Sequence, residues 1–161
     1  MRRSIVVVAG AASAALMLSL AVAPSALAGD PAADNYNLTS MEACKDPHAS
    51  KFKFHIFYNS GQGGAYRNIG YSVYDFDALR PGDGHAYPLK FCPVGVSSPW
   101  PGSNQKVKNN AASGENEHYK YTARVYFNSG YKGVYDAMAP YQHIDRFRNV
   151  YNENASFAWV A

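Results

Sequence analysis

From residue 52 onward the chain alternates. Phe52, Phe54, Ile56 and Tyr58 are interleaved with Lys53, His55 and Phe57, and Tyr121, Ala123, Val125 and Phe127 with Thr122, Arg124 and Tyr126. A period of two carried by aromatic and β-branched residues predicts half-buried strands rather than helices. Both runs end in Asn-Ser-Gly, at 59–61 and at 128–130, which predicts a hairpin turn after each. No segment from 29 onward keeps a sustained helical period, and only Phe76 to Leu79 and Ile144 to Phe147 read as short turns. Gly29 to about Met41 is polar and rich in Ala, Asp and Asn, which predicts a loose arm.

The two runs are copies of one unit. FKFHIFYNSGQGGAY (52–66) aligns without gaps on YTARVYFNSGYKGVY (121–135), and VKNNAAS (107–113) is answered by VYNENAS (150–156). An internal repeat predicts two similar β modules packed as one body, repeat one over 52–113 and repeat two over 121–161. Repeat one is the longer, with the excess inside 79–104, where Pro81, Pro88, Pro93, Pro99, Pro101, Cys92 and Trp100 lie. Prolines stiffen such an excursion. It reads either as a binding loop on a rigid scaffold or as a cover for an exposed sheet edge.

Composition adds a compartment. Arg2 and Arg3 precede an apolar stretch from Ile5 to Val22, and Pro24-Ser25-Ala26-Leu27-Ala28 supplies a small-x-small cleavage site, so 1–28 reads as a signal peptide and Gly29 as the first residue after it. The rest then divides into an arm over 29–51 and the two-repeat domain over 52–161. Two of the 15 Lys and Arg fall in the leader, so the formal charge of +3 drops to +1 without it. A nearly neutral body gives no argument for nucleic acid or an anionic membrane surface as partner. The two cysteines, Cys44 and Cys92, form an even pair in an exported chain and read as one disulfide. The 13 tyrosines read first as packing for a small sandwich short of aliphatic residues, with an aromatic binding platform as the alternative.

Tyr126-x4-Tyr131-x-Gly133 resembles the aromatic-x4-aromatic-x-Gly hairpin signature of βγ-crystallin Greek keys, and Ser156 falls where that fold places the serine that caps its folded hairpin. The first copy keeps Phe57, Gly64 and Ser113 but has Gln62 at the second aromatic position. The resemblance, from about Phe52 to Trp159, implies an all-β sandwich of two Greek-key motifs in a single domain. Within that superfamily the chain resembles the Streptomyces metalloproteinase inhibitor family, on the stretches VKNNAASGEN and ARVYFNSGYKGVYD. That family implies a secreted monomeric inhibitor that presents a rigid loop to an extracellular thermolysin-like zinc peptidase, with no cofactor. One cysteine pair stands here where the characterised inhibitor has two disulfides. The loop expected to do this is Phe91-Cys92-Pro93-Val94-Gly95-Val96, in which Val94 or Val96 supplies the bulky apolar residue favoured just after a scissile bond.

Two other readings remain. Many βγ-crystallin modules bind calcium, and Asn109, Asn110 and Ser113 with Asn152, Glu153 and Ser156 stand at the matching positions. Calcium needs several hard oxygens, and one carboxylate across both sets predicts weak binding at most. An enzyme is not expected. Gly-x-Ser-x-Gly, His-Glu-x-x-His and phosphate-binding glycine loops are absent, and His48, His55, His85, His118 and His143 are scattered without ligand spacing. Glu115 and Glu117 read as solvated charge on a loop, and Asn37-Leu38-Thr39 matches a glycosylation acceptor.

Overall fold

The computed structural model describes residues 29–161; the expected signal peptide lies outside the described residues. Seven strands follow in order: β1 (Phe54–Asn59), β2 (Gly63–Ile69), β3 (Ser113–Asn116), β4 (Thr122–Asn128), β5 (Lys132–Met138), β6 (His143–Ile144) and β7 (Ser156–Val160). They form two antiparallel sheets, β2-β1-β3-β6 and β5-β4-β7, and Val73 bridges Phe157 at the free side of β7. In each repeat the last strand returns to lie beside the first, as in a Greek key. The third element crosses over. Repeat one lends Val73 to the sheet of repeat two, and repeat two lends β6 to the sheet of repeat one. Neither sheet is complete without the other repeat, so the protein is one all-β domain.

The alternating residues meet in one core. Phe54, Ile56, Ala65 and Ile69 from the first sheet pack with Ala123, Val125, Met138 and Phe157 from the second, and the Phe54 and Phe157 rings stack with centroids 4.2 Å apart. Burial of these apolar side chains is the main stabilising term. The core is phenylalanine and aliphatic. Among the 13 tyrosines only Tyr126 is buried, and the others sit at the margin or in solvent, contrary to the expectation that tyrosine would fill the interior.

The excess of repeat one is built into this core. Leu79 and Tyr87 exchange backbone hydrogen bonds, the Leu89 amide donates to the Phe76 carbonyl, and Leu79, Leu89 and Phe91 are buried in the main cluster. Further on the segment follows β2, where the Cys92 amide donates to the Tyr66 carbonyl and the Ala65 amide to the Pro101 carbonyl. It therefore covers the β2 edge, as one of the two readings required.

The arm is ordered, which corrects the expectation of a loose segment. Helix α1 (Pro31–Thr39) starts with the Asp30 carboxylate accepting from the Ala32 amide and with proline at its first position, and 3-10 turns follow at Met41–Cys44 and Pro47–Ala49. Polar anchors hold it rather than an apolar stripe. The Asp34 carboxylate accepts from the Arg80 amide, and the Arg67 guanidinium donates to the Asn37 and Leu38 carbonyls at the helix end. Buried Asn37 donates to the Tyr71 carbonyl and accepts from the Gly70 and Tyr71 amides, so the glycosylation acceptor is a fully bonded internal side chain. The Cys44–Cys92 disulfide joins this segment to the excursion, with Cα atoms 5.5 Å apart.

Candidate functional site

Both hairpins fold back in the same way. Ser113 Oγ donates to the Asn59 carbonyl at 2.6 Å and accepts from the Gln62 amide at 3.1 Å. Ser156 Oγ donates to the Asn128 carbonyl at 2.7 Å and accepts from the Tyr131 amide at 3.1 Å. Gln62 and Tyr131 both have positive φ, 53° and 60°, followed in each copy by a glycine at Gly64 or Gly133 with φ of 71° or 81°. A Cβ on Gly64 would lie 2.9 Å from the Pro101 carbonyl oxygen, so only glycine fits beneath the excursion. Tyr126 packs on Tyr131 with centroids 6.1 Å apart, and Gln62, where the aromatic is lost, donates instead to the Ile144 carbonyl. Interlocked keys with serine-capped hairpins give a fold of the βγ-crystallin type.

No family model matches the chain, and no curated protein matches it. A solved structure that it resembles is described as "Evolution of the eye lens beta-gamma-crystallin domain fold". The two chains are 12% identical, the match covers 69% of this chain and 87% of the other, and the TM-score is 0.47.

The residues named for calcium do not converge as one ligand set. Ser113 and Ser156 are buried and committed to the hairpins, and the Asn110 amide donates to the Lys106 and Lys108 carbonyls. Asn109, Asn152 and Glu153 do line one cleft of about 430 Å³ with Asn128 and Ser129. Its cation is the protein's own: Lys108 Nζ lies in it, 2.9 Å from Asp75 Oδ1 and 3.3 Å from Ser129 Oγ.

The residues named for the inhibitory loop lie together and divide by depth. Cys92 is buried, Val94 packs on the core margin, and Pro93, Val96, Ser97, Ser98, Pro99 and Trp100 are exposed. The Trp100 amide donates to the Val94 carbonyl at 3.1 Å, which closes the excursion at its neck. Gly95 has φ of 81°, and a Cβ there would run into the Ser98 carbonyl oxygen, so the turn is tight and needs glycine. Val96 sits at its tip with 102% relative exposure. The excursion thus covers the sheet edge with its two stems and projects between them.

Histidines that look scattered in sequence come together beside the first sheet. His55 pairs across to Asn68 on β2 and to Glu115 on β3, so these side chains share one face. The 3-10 turn at 47–49 brings His48 over that face, with Nδ1 2.6 Å from Glu117 Oε1, while Lys53 Nζ lies 2.9 Å from Glu117 Oε2. Burial alone would raise the Glu117 carboxyl, but the hydrogen bonds from His48 and Lys53 outweigh it and bring it down to about 2. Burial lowers the His55 imidazole below its ordinary value, partly opposed by its bond to Asn68 and by the nearby charge of Glu117. His48 is raised, chiefly by the bond to Glu117. Only the spacing of Glu115 and Glu117, either side of Asn116, hinted at this grouping in the sequence.

A second cleft, of about 710 Å³, adjoins it and gathers Tyr36, Phe52, Tyr71, Tyr119, Tyr141 and Trp159. Among the described residues no helix is long and apolar enough to cross a membrane.

Proposed function

We propose that this is an exported peptidase inhibitor directed at thermolysin-like metallopeptidases, with the loop from Cys92 to Pro101 as its contact and Val96 as its apolar anchor. The observation that carries the reading is the contrast within that loop. Its tip side chain is wholly exposed, whereas its base is fixed by the disulfide, by Cys92 to Tyr66, by Ala65 to Pro101 and by the Val94–Trp100 neck. Isolated exposed valines are ordinary. One held on a clamped, proline-flanked turn has lost its ordering entropy before it meets a partner, and this is the property that favours tight binding by an inhibitory loop. An apolar side chain at the tip also matches the preference of this peptidase class for a bulky apolar residue after the scissile bond.

The test is residual activity of a thermolysin-type peptidase in the presence of a micromolar excess of the protein. Val96→Asp is the informative variant, because Val96 makes no core contact and the fold should keep its melting temperature. Inhibition is expected to weaken at least about 100-fold, the scale of a lost anchor. Full peptidase activity with the unaltered protein rejects the target class, and undiminished inhibition by Val96→Asp rejects the loop.

A further inference from the structure

His55 carries an unpaired acceptor where an acceptor is already waiting. The Asn68 amide group donates to the Glu42 and Lys45 carbonyls, at 2.9 and 2.8 Å, so its Oδ1 is the atom that faces His55 Nδ1 at 2.8 Å. Nδ1 must therefore carry a proton, and in the neutral ring the lone pair resides on Nε2. Nε2 is buried and has no hydrogen-bond partner. It points at Glu117 Oε2, 3.5 Å away. Two acceptors facing each other with no proton between them repel, and a cation shared by both removes the conflict.

We infer that His55, Glu117, His48 and Glu115 form a site for a zinc-like divalent transition metal. Two donors about 2.0–2.1 Å from a tetrahedral ion lie roughly 3.4 Å apart, and the His55–Glu117 separation fits that edge. Ligand atoms of His48, Glu115 and Glu117 lie within 4.8 Å of one another on the same face, and His55 meets that group at Glu117. Two imidazoles with carboxylates select zinc-like ions over calcium or magnesium, which prefer all-oxygen shells. Asn68 holds the far nitrogen of His55 and so fixes the ring as a ligand. Lys53 is the competitor for Glu117 Oε2, and its side chain is 35% exposed. A metal here would join the 3-10 turn at 47–49 to β1 and to the segment after β3. This site is separate from the inhibitory loop, so either assignment can fail without the other.

The experiment is calorimetric titration of ZnCl2 into the chelator-treated secreted protein, with CaCl2 in parallel. One equivalent of zinc should bind with Kd of about 1 µM or tighter, calcium should give no saturable heat, and cobalt should give the absorption of a tetrahedral site. His48→Ala and Glu117→Gln should each weaken zinc at least tenfold, and His143→Ala should not. His55 is buried, so it is read without mutation: its Nε2 resonance should shift with one equivalent of zinc in the unaltered protein. The assignment is overturned by any of three results: no saturation below about 100 µM zinc, full affinity in Glu117→Gln, or a His55 Nε2 resonance that zinc leaves in place.

Discussion

Single hydroxyls and single glycines decide the hairpins. Ser113 and Ser156 each satisfy one carbonyl and one amide at a folded turn. Replacing either with alanine leaves both groups without that partner, at a cost of about 1–3 kcal/mol each. Urea unfolding should find both losses, nearly additive because the two hairpins belong to different sheets; a loss below about 0.5 kcal/mol at both would mean the hairpins fold without their caps. The glycines are unequal. A Cβ at Gly64 meets backbone at Pro101, whereas at Gly133 it meets the Asn128 side chain, which can turn away. Gly64→Ala should therefore cost more than Gly133→Ala, although both φ values are positive, and the same denaturation series reads the order. Asn37→Ala should cost about 1–3 kcal/mol through the exposed Gly70 and Tyr71 amides. That asparagine reads in sequence as a surface acceptor because its neighbours are polar; the partners that bury it are more than thirty residues away.

At the scale of elements, the excursion and the N-terminal segment work as a pair. The disulfide closes a loop with a sequence separation of 48, and removing it as Cys44→Ala with Cys92→Ala should cost about 4 kcal/mol in the chain-entropy account. Equilibrium unfolding against the oxidised protein gives the figure. A loss near zero would mean that the hydrogen bonds of Arg67, Asn68 and Asn37 hold the segment alone. Helix α1 is legible only at its start, in Asp30 followed by Pro31. It has no apolar stripe because its attachments are hydrogen bonds, and hydrogen-bonded attachment leaves no hydrophobic period. β6 is similar: Ile144 opens a stretch that reads as a turn, yet the pairing of His143 with Glu115 and of Ile144 with Gly114 makes it the end of a strand.

For the whole molecule the charged face beside β1 governs acid stability. His55 titrates below its ordinary value of 6.5 because of burial, so the stability its neutral form gives above that value is lost as pH falls. Glu117, at about 2 against 4.5, contributes above 4.5 and loses that contribution as pH falls to about 2. His48, raised, acts in the opposite sense, stabilising below 6.5 and less as pH rises through its folded value. Its side chain is 71% exposed, so solvent screening keeps that effect small. The melting temperature should fall from pH 7 toward pH 2, and Glu117→Gln should flatten the curve between 4.5 and 2; parallel curves there would refute the role of Glu117. The sequence alone determined the doubled unit, the first strand of each repeat with the turn that follows it, and the cysteine pair. Those depend on local alternation, turn chemistry and counting. Tertiary structure decided the rest: the exchange of third strands, the burial of the excursion, the exposure of Val96 over Val94, and the meeting of His48, His55 and Glu117. These depend on which distant segments share an edge or a face, and a linear pattern does not encode that.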